Sequence, residues 1–218
     1  MVPVSDPVTL ALPASVRVET LRVRRGFSTV LSNFSWEHHA GVPAWLVGEN
    51  GAGKSSLLRV LAGRARAAGG AVRRTAPAGR TLSPLYFHPS IRLPREATVR
   101  DWLRLTKTFL EGAPPLDEPL APDLAPDRRL ETLSTGEAKR LLLAALLRRD
   151  SPFLFLDEPY DHLSDEARAA LTAILVRRAR HDVVVVATNQ PIPPEAMGPV
   201  VRLDGNTATI HTHAEAAR

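Results

Sequence analysis

The sequence contains no cysteine. That excludes disulfide stapling, cysteine-ligated metal centres and thiol nucleophiles, leaves stability to packing, and fits a reducing compartment. Aromatic residues make up 5% of the chain, too few for the base-stacking platforms of single-strand nucleic-acid binders. Long apolar runs are missing too. The longest strictly apolar stretch is 141–147, against the roughly 20 residues a membrane-spanning helix needs. The start, "MVPVSDPVTL", lacks a charged segment followed by an apolar one. The chain is expected neither to cross a membrane nor to carry an export signal.

What is present suits a globular chain. Its 218 residues are 44% hydrophobic, enough for one sizeable core or a core with a small appendage. The net charge is +5 and the pI about 10.3. The basic residues are scattered as short groups such as "RVRR" with acidic residues between. This pattern suits a surface facing an acidic partner or lipid headgroups, and no direct nucleic-acid contact is expected.

Strand-length apolar runs alternate with segments of helical period. "ETLRVRR" and "NFSWEHH" read as turn-linked antiparallel strands. "AWLV" (44–47) reads as a short buried strand leading into Gly48, after which Leu57, Leu58 and Leu61 recur at helical spacing before a Gly63 cap. "PLYF" (84–87) is a further strand. Thr98 and Asp101 can cap a helix with an apolar stripe of Val99, Trp102, Leu103, Phe109 and Leu110. Prolines 114, 115, 119, 122 and 126 then make a stiff connector. "FLFLD" and "VVVVAT" are strands of the kind buried on both faces of a parallel sheet. Between them Ala167, Ala170, Leu171, Ile174 and Leu175 line one helix face, and "VVRLDGNTATIH" reads as a hairpin around Asp204 and Gly205.

Two motifs carry chemistry. "GENGAGKSS" (48–56) fits G-x-x-x-x-G-K-[ST] at Gly48, Gly53, Lys54 and Ser55. Gly48, Asn50, Gly51, Ala52 and Gly53 let backbone N–H groups converge on phosphate oxygens. Lys54 reaches the terminal phosphates, Ser55 can ligate Mg²⁺, and Ser56 follows in the helix. "FLFLDEP" ends a buried strand on Asp157 and Glu158. Ligands of open α/β sheets lie beyond the carboxyl ends of the strands, where Asp157 can hold Mg²⁺ through water and Glu158 can orient an attacking water. In "LSTGE" (133–137), Ser134 and Glu137 have capping-box spacing, which accounts for the pair without any ligand. The same helix N-terminus, with Ser134 and Gly136, is also an anion site.

With "GENGAGKSS", "LSTGE" and "FLFLDEP" in that order, nearly the whole chain resembles the ATP-binding cassette (ABC) ATPases, whose pattern at the second motif is L-S-G-G-Q. The resemblance implies an α/β fold, a P-loop NTPase with a mainly parallel core sheet, an N-terminal antiparallel β portion and a small helical subdomain. It implies one nucleotide-binding domain over 1–218, with 88–150 as the helical subdomain. It further implies Mg²⁺ and ATP and a head-to-tail dimer with a second cassette, identical or not, in which Ser134 to Gly136 of one chain cap the ATP of the other. An integral membrane transporter subunit would be driven from the cytoplasmic face of the cell membrane. "PYDHLSDE" (159–166) occupies the family's D-loop. There Asp161 or Ser164 contacts the partner, or Ser164 caps the next helix.

Departures from the pattern bear on rate. Thr135 and Glu137 replace Gly and Gln. Asn189 stands where the family has a histidine on the γ-phosphate, and an amide cannot become cationic or shuttle a proton. His88 lies near the family's glutamine that senses Mg²⁺ and water, and imidazole is a poor Mg²⁺ ligand. Either Arg25 or Phe27 can cover the adenine. Slow hydrolysis with intact ATP binding is the expectation, with catalytic positions at Glu158, Asn189 and His88. "TNQP" is similar to the "THQP" of the small haem-exporter type of cytochrome maturation. A soluble cassette of translation or DNA-repair type, or a regulatory cassette with little turnover, is the alternative.

Overall fold

A computed structural model describes residues 13–108, 120–121 and 123–211. Prolines 114, 115, 119 and 122 of the expected connector, and Phe109 and Leu110 of the expected apolar stripe, lie outside the described residues.

Two sheets are built from strands β1 (Ser15–Arg25), β2 (Ser28–His39), β3 (Ala44–Val47), β4 (Gly69–Thr75), β5 (Leu85–Phe87), β6 (Phe153–Asp157), β7 (Val183–Ala187), β8 (Val200–Asp204) and β9 (Thr207–His211). The helices are α1 (Lys54–Leu61), α2 (Val99–Thr108), α3 (Thr135–Leu147) and α4 (Asp165–Ala179). The antiparallel sheet has the order β2-β1-β4, and the main sheet β5-β6-β7-β3-β8-β9 is parallel except for the final hairpin. Every residue of β6 and β7 is buried, as their unbroken apolar runs require.

Period two divides the core. Phe153, Phe155, Val183, Val185 and Leu46 face α1 and the antiparallel sheet, while Leu154, Leu156, Val184, Val186 and Trp45 face the layer holding α3 and α4. A third small cluster of Val99, Leu124, Leu130 and Leu141 joins α2 to α3. It covers only a narrow strip of α2, so Leu103, expected in the apolar stripe, is 47% exposed. Capping follows the sequence. Thr98 and Asp101 exchange hydrogen bonds at the start of α2, and Ser164 accepts from the Ala167 N–H at the start of α4. Gly63, in the left-handed region at φ 69°, follows the end of α1.

Strand β4 was not expected from the sequence. "GGAVRRT" has two glycines and no clean alternation, and it is held by its pairing with β1.

Candidate active site

The carboxyl ends of β3, β5, β6 and β7 open onto one edge of the sheet, carrying Gly48, His88, Glu158 and Thr188 respectively. The β3–α1 loop folds tightly there. Gly48 has φ 149°, and a Cβ on it would lie 2.5 Å from the Leu203 carbonyl oxygen, so only glycine passes β8 at that point. Gly53, at φ 104°, starts α1 with no side-chain cap and no acidic residue in the first turn. The first N–H groups of α1 thus keep their positive potential for an anion.

Lys54, 6% exposed, is bent back over this loop. Its Nζ donates to the Gly48 carbonyl at 2.8 Å and lies 3.5 Å from Oε1 of Glu158. The other oxygen of Glu158 accepts the Asn189 N–H at 3.1 Å, and the Asn189 amide donates to Oδ1 of Asn50 at 3.4 Å. Asn50 and Asn189 share one wall of a cleft of about 600 Å³, lined also by Gly48, Thr188, Gln190 and Arg202. Glu158 itself sits in the left-handed region at φ 46°, uncommon for a non-glycine residue and typical of functional turns. Burial pushes its carboxyl up, opposed by the Asn189 N–H and the Lys54 charge. A carboxylate raised this way is a better proton acceptor near neutral pH.

Asp157 is buried, and its Oδ1 has no hydrogen-bond partner among the described residues. An orphan carboxylate oxygen at the end of a buried strand is costly unless something binds it. His88 Nδ1 lies 2.5 Å from the Ser90 hydroxyl, and its Nε2 lies 2.8 Å from Arg59 Nη2. A guanidinium only donates, so Nε2 accepts from Arg59, while the Ser90 N–H lies 3.1 Å from Nδ1. Burial lowers the His88 pKa against the pull of the Asp157 charge, with Arg59 adding to the fall. Nε2 lies 3.8 Å from Asp157 Oδ2.

Ser134 and Gly136 form a separate patch, and no hydrogen bond or ion pair among the described residues joins them to residues 48–56. Ser134 caps α3 by accepting from the Glu137 N–H at 3.2 Å, while the Ser134 N–H donates to Glu137 at 2.7 Å. Arg128 clamps both oxygens of Glu137, holding its carboxyl at about 2. The same guanidinium cancels the negative charge that glutamate brings to this helix start. Gly136 touches the D-loop backbone. A Cβ there would lie 2.3 Å from the His162 carbonyl oxygen.

Arg25 and Phe27 flank the β1–β2 turn, where Phe27 is 98% exposed and its carbonyl accepts from Arg24 at 2.9 Å. Three residues on, Val30 lies 3.1 Å from where a Gly53 Cβ would stand, so this hairpin adjoins the loop. Ser55 and Ser56 occupy the first turn of α1.

The fold agrees with known proteins. The profile for the ABC transporter family matches residues 31–161, more than half the chain. This chain belongs to the ABC transporter ATP-binding family. It is 35% identical, over 79% of its length and 87% of theirs, to a cytochrome c biogenesis ATP-binding export protein of Novosphingobium aromaticivorans. A zinc import ATP-binding protein of Jannaschia sp. is 32% identical over 93% of this chain and 84% of that one. A solved ATP-binding subunit of an ABC transporter superposes with TM-score 0.74 at 19% identity, covering 90% of this chain and 89% of that one. The chain is thus an ATP-binding, ATP-hydrolysing transporter subunit. No helix among the described residues is long and apolar enough to cross a membrane.

For an ABC ATPase, three residues stand out that the motifs did not reveal: Arg59 on His88, Gln190, whose amide donates to Asp161 at 2.8 Å, and Lys139. Arg59 and Lys139 carry no motif signal of their own in the sequence. Gln190 carried a signal, since it sits in the polar cluster that ends β7.

Proposed function

We propose that ATP binds with its phosphates in the 48–56 loop and that two cassettes close head-to-tail around two nucleotides. Closure would drive an integral membrane subunit at the inner face of the membrane. The observation that carries this reading is the convergence of Lys54, Glu158 and Asn189 at one sheet edge, with Lys54 Nζ 3.5 Å from Glu158.

The residues suit Mg²⁺. Asp157 offers an unpartnered oxygen, Ser55 a hydroxyl at the start of α1, and both are hard oxygen donors. No group of three or more His, Cys, Asp or Glu among the described residues could hold a metal by itself. When bound, Mg²⁺ neutralises phosphate charge. The N–H groups of 48–53 and the α1 terminus orient the phosphates, and Lys54 exchanges its contact with Glu158 for the terminal phosphoryl oxygens. Glu158, its carboxylate held by the Asn189 N–H, accepts a proton from the attacking water. Phe27 or Arg25 covers the adenine from the β1–β2 turn. The Ser134 oxygen is an acceptor in its cap, which leaves the hydroxyl proton free to donate to a phosphate on the second cassette. Residues 88–150 form the helical subdomain of a single cassette.

Turnover is slow in this reading. Asn189 supplies an amide where a titratable ring would act, and losing one positioned group at a transition state costs about 10²–10³ in rate. The membrane partner is an exporter of the cytochrome c biogenesis kind, supported by the 35% identity to that export protein. Calorimetry with the full chain tests the core of this reading. Mg·ATP uptake is expected in the parent and a loss of at least tenfold in affinity in Lys54→Ala. Equal uptake by both proteins overturns it. Copurification from detergent-solubilised membranes tests the partner.

A further inference from the structure

Lys139 belongs to α3, yet it is only 7% exposed, and its ammonium donates to the carbonyl oxygen of Glu158 at 2.9 Å. Lysine is seldom buried without a partner, because taking an ammonium out of water is expensive. Here burial lowers its pKa, while the charges of Asp161, Glu158 and Asp157 oppose that shift. The residue it grips is the one held at φ 46°. A non-glycine residue persists in that region only where its surroundings fix it. The Glu158 N–H donates to the Ala187 carbonyl at 2.9 Å, which fixes the residue from β7. Lys139 fixes it from α3.

A second contact joins the same two elements. Gly136, one turn earlier on α3, lies against the His162 carbonyl so closely that a Cβ would come within 2.3 Å. The Ser134–Gly136 turn and the 158–162 loop are therefore attached at two points, and the Lys139 ammonium is the point that reaches the backbone of the residue bearing the reacting carboxylate.

We infer that Lys139 is a positioning residue: through the Glu158 carbonyl it carries the placement of the Ser134–Gly136 turn to the Glu158 carboxylate. The inference rests on the reading of Glu158 as the residue that activates water. Displacing a reacting group by about 1 Å can cost 10² in rate, and no hydrogen bond or ion pair among the described residues joins Lys139 to loop 48–56. Its removal acts on turnover and not on nucleotide affinity.

The test compares Lys139→Met and Lys139→Arg in the full chain, with phosphate release for kcat and KM, calorimetry for ATP affinity and thermal unfolding as a check on folding. Expected is a fall in kcat of tenfold or more for Lys139→Met with KM and affinity within twofold of the parent, and substantial recovery in Lys139→Arg, which keeps a charged donor. The inference is overturned if Lys139→Met keeps kcat within twofold, if affinity falls as much as kcat, or if Lys139→Arg is no better than Lys139→Met. Should Lys139→Met fail to fold, Lys139→Gln, which keeps an amide donor at shorter reach, is held to the same criteria. Glu158→Gln separates the two claims. If it retains full turnover, the reading of Glu158 fails; if it is inactive while Lys139→Met is normal, only the role of Lys139 falls.

Discussion

Asn189 is tied to its neighbours by both ends, its N–H on Glu158 and its amide on Asn50. The position is therefore built into the site, whatever side chain occupies it. A histidine there would add a group that can be cationic against a phosphate, so Asn189→His is expected to raise steady-state phosphate release several-fold. An unchanged or lower rate counts against this position acting on the γ-phosphate. A different histidine governs acid stability. His38 is buried, stacked on Trp36 and bonded to the Val42 carbonyl. Burial first, then the charge of His39, brings its pKa from 6.5 to about 4, against the pull of the Val42 bond. Above pH 6.5 the ring is neutral folded and unfolded, so it contributes no difference. As the pH falls toward 4 the unfolded chain takes up a proton that the folded chain refuses, and on the order of 3 kcal/mol is lost. Urea midpoints at pH 7 and pH 4.5 should show a smaller acid loss in His38→Gln than in the parent. Equal losses would exclude His38 as the source. At this scale the sequence was legible where a motif fixes backbone as well as side chain, as at Gly48 and Lys54. It was silent on Lys139, because burial of a helical lysine depends on which loop comes to lie over it.

Among the elements, β3 and β6 have the bounds the sequence predicts, because a short apolar run between turn residues allows no other register. Strand β4 escaped for the opposite reason: its residues are mostly half-exposed, and the partner β1 supplies what its own pattern lacks. The capping box of α3 was legible and is present, but the reason for Gly136 was not. Its φ is ordinary, so helix chemistry alone would admit alanine. The D-loop carbonyl of His162 forbids it. Gly136→Ala must push the start of α3 off that loop, an overpacking cost of about 1–3 kcal/mol. For a chain of this size that is a fall of several degrees in unfolding midpoint, at about 2–4 °C per kcal/mol. A midpoint within one degree of the parent would show that the loop yields freely, and would weaken the view of α3 and the 158–162 loop as one unit.

For the whole molecule, the decisive feature is that the two anion-ready helix starts belong to different patches. The first turn of α1 faces the sheet edge with Lys54 and Glu158, while the Ser134–Gly136 turn lies against the D-loop. In the proposed closed pair, a nucleotide held by 48–56 meets the Ser134 hydroxyl of the second chain. Glu137 does not repel that phosphate, since Arg128 holds both its oxygens. Nucleotide should then act as adhesive, each ATP binding the closed pair more tightly than the separated chains, so that dimerisation gains the difference in free energy of two binding events. Hydrolysis removes the adhesive, and a chain unable to hydrolyse should stay closed. Light scattering of Glu158→Gln with Mg·ATP is expected to give twice the mass of the ATP-free chain. The parent should return to the single mass as ATP is consumed, and Glu158→Gln combined with Lys54→Ala should remain single throughout. A single mass for Glu158→Gln at saturating Mg·ATP, with uptake verified by calorimetry, would mean that nucleotide does not join two copies of this chain, and the head-to-tail arrangement would then require a different second cassette.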